Sequence, residues 1–193
     1  MLSISKWLAV VKEDSKVFCL VHPQRGLFKY FYYPDFRAVL IFRLSQLFYS
    51  SRMTRPVSYL MTMLNDVLNG VWIGPRVSAG PGLSLAHPRG LMVNPDTIIG
   101  RKCSILHRVT IGGPQVVIGD FVSIGAGASI ISNVRGRAYL TVGSNVIIGA
   151  GAVVVKDVPD CCVVVGVPAK VVKTIKPEDN WFEYMTRLRI HRG

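Results

Sequence analysis

Two histidines, His87 and His107, lie twenty residues apart near the middle of this 193-residue chain. They are the side chains best suited to exchange a proton at neutral pH. A histidine before a proline, as His87 is before Pro88, also serves as a polar turn residue held by a backbone carbonyl. Catalytic zinc ordinarily needs three protein ligands, and only these two histidines fall in the repeat described below, so no metal is expected. His22 and His191 lie outside it and read as surface residues. The cysteines at 19, 103, 161 and 162 contain no Cys-x-x-Cys pair, and adjacent Cys161 and Cys162 make neither a disulfide framework nor a metal knuckle. They read as space-filling thiols in a reducing cytoplasm.

Basic residues outnumber acidic ones 23 to 11, a net charge of +12 that calls for an anionic partner. No basic run with interleaved aromatics is present, so nucleic acid is not expected. The most apolar stretch, Phe36 to Tyr49, carries Arg37 and Arg43 and does not read as a membrane span. Lys6, Lys12, Glu13, Asp14 and Lys16 interrupt any export signal, so a cytoplasmic location is expected. Phe28, Tyr30, Phe31, Tyr32 and Tyr33 stand beside Lys29 and Arg37. Such a stripe suits a lipid surface, which would add membrane association, or packs helices onto the rest of the protein and a neighbouring subunit.

The elements that position the histidines are legible from periodicity. Aliphatic residues recur at six-residue steps at Val93, Ile99, Ile105 and Ile111, and after a one-residue slip at Ile118, Ile124, Ile130, Val142, Ile148 and Val154. Four residues beyond each anchor lies a small or apolar side chain, from Thr97 and Cys103 to Ala152 and Val158. A period of six matches neither a helix face nor simple strand alternation. It suits a short strand and a turn, repeated so that three strands close a triangular coil. Weaker hexads at Ile73, Ala79 and Leu85 place the start of the coil near Val71. The slip at Gly113-Pro114-Gln115 and the glycine at 136 mark places where a loop could leave it.

Three- and four-residue apolar spacing predicts helices over 5–20, 36–50 and 56–68, closed by Gly70. A further helix is expected after Pro177, with Trp181, Tyr184, Met185 and Leu188 on one face. The expected organisation is a helical region over 1–70, a β-helix over 71–170 and a helical tail over 171–193, mainly β overall.

Several motifs resemble the hexapeptide-repeat acyltransferases, and within them the branch of serine acetyltransferases and polysaccharide sugar O-acetyltransferases. They are Phe36-Arg37-Ala38-Val39 through Arg43, Gly82-Leu83-Ser84-Leu85-Ala86-His87, Cys103 through Gly113, and Gly166-Val167-Pro168-Ala169-Lys170. The resemblance implies a left-handed parallel β-helix, a homotrimer with active sites between neighbouring coils, and acetyl-CoA as acyl donor. It places His87 as the general base that takes a hydroxyl proton in direct transfer, with His107 as a second candidate. It also places Gly125, Ala126, Gly149 and Ala150 along the pantetheine arm, and Ala169 and Lys170 near the CoA phosphates.

Departures from the serine enzymes bear on the acceptor. Their histidine-orienting aspartate falls on Trp72, and the aspartate before the histidine is Ala86. The ammonium group of serine needs a carboxylate partner, so a carbohydrate hydroxyl is the expected acceptor, with serine as the alternative. Asp96, Asn94 or a backbone carbonyl is left to orient His87, and Asp96 is the choice. Two other classes fit the sequence less well. A zinc enzyme of the gamma carbonic anhydrase type lacks its third histidine, and a non-catalytic scaffold would have no use for the Gly-Val-Pro-Ala-Lys motif.

Overall fold

The computed structural model describes residues 3–22, 28–132 and 139–190. The chain begins with helices α1 (Ile4–Val21), α2 (Lys29–Tyr32), α3 (Pro34–Tyr49) and α4 (Arg55–Asn69). Ser3 caps α1 by accepting the Lys6 N–H at 3.3 Å. Pro34 occupies the first turn of α3, where its missing N–H costs nothing. Gly70 ends α4 as expected: at φ +65° it takes the left-handed cap that a side chain would resist, and its N–H reaches the Asp66 carbonyl at 2.7 Å.

A left-handed parallel β-helix follows directly. Its turns are β1 (Val71–Ile73), β2 (Ser78–Ala79), β3 (Ser84–Ala86); β4 (Leu91–Val93), β5 (Ile98–Ile99), β6 (Ser104–Leu106); β7 (Thr110–Gly112), β8 (Val116–Ile118), β9 (Ser123–Ile124); and β10 (Ser129–Ile131), β11 (Leu140–Val142), β12 (Ile147–Ile148). β13 (Val153–Val154) and β14 (Cys162–Val165) extend two of the three faces. β15 (Lys170–Thr174) then turns back antiparallel on β14, and α5 (Trp181–Ile190) closes the chain.

Parallel register stacks like on like. Ile73, Val93, Ile111, Ile130 and Val154 form one inward column, and Leu85, Ile105, Ile124, Ile148 and Val164 another. These side chains are buried, as are the small ones at Thr97, Cys103, Val122, Ala128, Val146 and Ala152. Each full burial of an aliphatic residue is worth about 1.5–3 kcal/mol. The slip at 113–115 opens no loop: one added residue is absorbed in a tight turn. There Gly113 has φ +99°, and a Cβ would overlap the Ser132 carbonyl. Residue 136 lies outside the described residues.

The helices pack onto the first turn, where Ala38, Val39 and Phe42 join the β-helix core. Trp181 of α5 donates from Nε1 to the Lys102 carbonyl at 2.8 Å. Tyr184, expected on the same face, points to solvent. Phe182 takes its place, under the Lys102 ammonium at 4.0 Å from the ring centre.

Candidate functional site

His87 follows β3 at a corner wider than the one beneath it. Ala86 pairs with Leu106 and Met92 with Thr110, so five residues, 87 to 91, span what three, 107 to 109, span in the next turn. The insertion lifts His87 off the coil. Its φ is +50°, and its side chain is 76 % exposed. The backbone N–H donates to Asp35 Oδ1 at 3.1 Å, and the same oxygen lies 3.9 Å from the ring Nδ1. Asp35 Oδ2 is 3.0 Å from His22 Nε2. His22 is not the surface residue expected: its side chain is 11 % exposed and packs against Tyr33 and Phe18, with ring centres 4.2 and 4.7 Å away. His191 lies outside the described residues.

Asp96, expected to orient His87, instead pairs with the Arg76 guanidinium at an exposed turn. It makes no hydrogen bond or ion pair with His87, because it sits in the corner between β4 and β5 and His87 in the corner between β3 and β4. The carboxylate beside His87 is that of Asp35, delivered by a helix and not by a coil. His107 follows Leu106 as His87 follows Ala86, which puts the two histidines on one edge in adjacent layers. Its Nδ1 is buried with no hydrogen-bond partner, an arrangement rare enough to need a reason.

The small residues continue the same edge. Register carries His107 onto Ala126 and Ala126 onto Ala150, and the Gly127 and Gly151 N–H groups donate to the His107 and Ala126 carbonyls. Gly125 and Gly149 have a packing reason of their own. A Cβ on Gly125 would meet the Ala150 nitrogen at 2.5 Å, and one on Gly149 the Val165 side chain at 2.7 Å. Gly127 and Gly151 face open space, with nothing within 4 Å of an added Cβ. Beyond β14, the Ala169 N–H donates to the Val153 carbonyl at 2.8 Å, and Lys170 begins the exposed β15.

A second carboxylate fixes the approach to His87. Asp14 of α1 is 1 % exposed and accepts from the Gly82 and Leu83 N–H groups at 2.7 and 2.9 Å. Its other partner is Arg43 of α3, with Nε 2.8 Å from Oδ2. Arg43 gives all five of its donors to acceptors: two to Asp14, one to Gln46 Oε1, and one each to the Ala79 and Gly80 carbonyls. The pair is thereby fully satisfied in a site closed to water.

The sequence reading missed Asp14, Asp35 and His22 as site residues. Asp14 had a signal: Val10, Val11, Val17 and Phe18 stand three and four positions either side, which puts a carboxylate on an apolar helix face. Asp35 had only its place after Pro34 in a first helical turn.

Among the described residues no disulfide joins the cysteines, and no three His, Cys, Asp or Glu side chains cluster as metal ligands would. Burial pushes the Cys103 thiol up to about 12, and burial raises that of Cys162 as well, helped by Cys161 and Asp160. Partial burial also pushes Cys19 up, but the Tyr30 hydroxyl and the Lys29 ammonium, 3.2 and 3.4 Å from its sulfur, leave it below the ordinary value. The aromatic stripe divides: Tyr30 and Tyr33 pack on Phe18, while Phe28, Phe31 and Tyr32 are exposed. No described helix is long and apolar enough to cross a bilayer.

No family model matches the chain. Among curated proteins it is 36 % identical over 153 residues to a serine acetyltransferase of Buchnera aphidicola, covering 75 % of this chain and 56 % of that one. The chain spans about half the length of the curated relatives it matches. Among solved structures, serine acetyltransferase of Neisseria gonorrhoeae in complex with serine aligns with TM-score 0.77 and 34 % identity, over 89 % of this chain and 71 % of that one. The enzyme of Brucella abortus in complex with coenzyme A aligns with TM-score 0.77 and 28 % identity, over 90 % and 70 %. A β-helix with an exposed corner histidine, joined to helices that align along with it, matches these proteins over most of its length: the chain belongs to the serine acetyltransferase family of hexapeptide-repeat, left-handed β-helix acyltransferases.

Proposed function

We propose that this protein transfers an acetyl group from acetyl-CoA to the hydroxyl of L-serine, with His87 as general base. The observation that carries the reading is the position of His87. It stands exposed on a lifted corner, on the same edge as the small-residue column of Ala126, Gly127, Ala150 and Gly151. The relatives named above are serine acetyltransferases, and two were solved with serine or coenzyme A.

The neutral His87 ring takes the acceptor proton as the oxygen attacks the thioester carbonyl. The tetrahedral oxyanion collapses with loss of the CoA thiolate, and the imidazolium returns its proton to that sulfur. A thioester laid along Ala126 and Ala150 meets no side chain larger than a methyl group. His107, half-buried and one layer below His87 on the same edge, is the second candidate for contact with the bound substrate. Lys170 remains the candidate for the CoA phosphates.

A homotrimer accounts for helix α4, whose polarity is inverted. Ser58, Thr62, Asn65 and Asn69 face the protein, while Leu60, Met63, Leu64, Val67 and Leu68 face outward. An exposed apolar helix face of this kind marks a subunit contact.

A carbohydrate acceptor, expected from the sequence, is the second reading, and one observation favours it. Ala86 stands where the resemblance expects a carboxylate beside the histidine, Trp72 stands where it expects the histidine-orienting one, and Asp35 is already engaged by His22 and the His87 amide. Release of CoA from acetyl-CoA, followed with L-serine and with a panel of sugars, separates the two. Turnover with serine that His87→Ala lowers at least about 100-fold supports the main reading. Turnover with sugars alone replaces serine by the second reading. Absence of acetyl-CoA binding overturns both in favour of a scaffold.

A further inference from the structure

We infer that Asp35 and His22, both from the helical region, are positioning residues for His87. In this arrangement His22 fixes the Asp35 carboxylate. Asp35 then holds the His87 backbone and takes its Nδ1–H, leaving Nε2 free for the acceptor proton. The inference rests on the reading of His87 as general base, and it assigns that base a device built outside the β-helix.

Asp35 lies in the first turn of α3, where a carboxylate usually caps its own helix. It does not do so here. It crosses to the β-helix, and its two oxygens are divided between Oδ1 for the His87 N–H at 3.1 Å and Oδ2 for His22 Nε2 at 3.0 Å. A carboxylate held from both sides cannot turn. Its Oδ1 therefore waits 3.9 Å from His87 Nδ1, about 1 Å beyond a hydrogen bond. The His87 side chain is exposed and has room for the small ring rotation that closes this gap.

His22 is held as firmly. Its ring packs against both Tyr33 and Phe18, and the Lys29 ammonium donates to its carbonyl at 3.3 Å. Because a carboxylate only accepts, the Nε2 of His22 carries the hydrogen between them. The backbone of His87 needs support for a separate reason. A non-glycine residue at φ +50° is strained, and β3, which leads to it, is the edge strand of its face, with no earlier turn to pair with. The amide bond to Asp35 takes that place.

The test uses the full chain with His22→Phe, His22→Gln, Asp35→Asn and Asp35→Glu. Steady-state kinetics give kcat and KM for acetyl-CoA. In histidine-labelled protein, ring 15N shifts report the tautomer of His87, assigned by its loss in His87→Ala. In the parent protein the hydrogen resides on Nδ1. Asp35→Asn mixes the tautomers and lowers kcat at least about tenfold, with KM for acetyl-CoA within about twofold. His22→Phe, which keeps the ring packing, does the same to a smaller degree, and His22→Gln, which restores an N–H donor, recovers most of the loss. Asp35→Glu keeps the charge and stays nearer the parent than Asp35→Asn. An unchanged tautomer in Asp35→Asn overturns the inference. So does a fall in kcat matched by lost acetyl-CoA binding, or His22→Gln no better than His22→Phe. If the parent protein releases no CoA with any acceptor, the functional reading fails by itself, while the tautomer experiment still decides the positioning.

Discussion

Replacing Asp14 by alanine is expected to destabilise the fold by about 3–5 kcal/mol, the range for removing one partner of a buried ion pair. The structure sets out why. Asp14 and Arg43 are 1 % and 2 % exposed, so neither charge can turn to water. Without the carboxylate, Arg43 keeps only neutral acceptors, Gln46 and the Ala79 and Gly80 carbonyls. The Gly82 and Leu83 N–H groups lose their partner in a buried place, at about 1–3 kcal/mol each. These costs overlap and do not simply add. Urea unfolding at one fixed protomer concentration measures the loss as a shift of midpoint at constant slope. Arg43→Met alone should cost a similar amount. Asp14→Leu combined with Arg43→Met should cost clearly less than the sum, with about 1–3 kcal/mol of coupling, because removing both charges leaves none stranded. An Asp14→Ala loss below about 1 kcal/mol, or strict additivity, would refute the reasoning.

Two glycines on the edge that carries His107, Ala126 and Ala150 should behave differently. Gly125→Ala drives a Cβ into the Ala150 backbone and should abolish folding or cost several kcal/mol. Gly127→Ala meets open space and should cost only about 1–2 kcal/mol for its φ of +69°; thermal melts showing the reverse order would overturn the packing account. On α4, Leu60→Asp with Met63→Asp leaves the inward polar face untouched and should lower the mass of the proposed homotrimer to that of a monomer in light scattering. A mass that stays trimeric would remove this helix from the subunit contact.

The β-helix was legible because its signal is periodic and redundant: each of Ile105, Ile111 and Ile118 repeats the same instruction, and stacking register follows from the period. The three longer helices were legible from apolar spacing, and Gly70 marked their end. His107 fell on the expected edge because twenty residues is close to one turn of the coil. What periodicity could not show is a contact between regions. Asp35 and His87 are 52 positions apart, and nothing local in either segment announces the other. Asp96 is a carboxylate within ten residues of His87 in sequence, yet stacking delivers it to Arg76. His22 was judged by its place outside the repeat, when its surroundings of Phe18, Tyr33 and Asp35 are made by helix packing.

The helical region therefore does more than cover the end of the coil. The strip from Gly82 to His87 is bracketed by two helix-borne carboxylates, with Asp14 on the Gly82 and Leu83 amides and Asp35 on the His87 amide. Both are buried, and each is tied to a second group from the helices, Arg43 or His22. A parallel coil fixes its inner strands from both neighbouring turns, but β3 is the edge strand of its face, paired with β6 alone, so the strip that leads to His87 has no earlier turn to hold it. Buried carboxylates suit the task because they accept several amides at once in a rigid geometry. The helices hold the lifted corner as the coil alone could not, which ties the placing of the candidate base to the docking of α1 and α3.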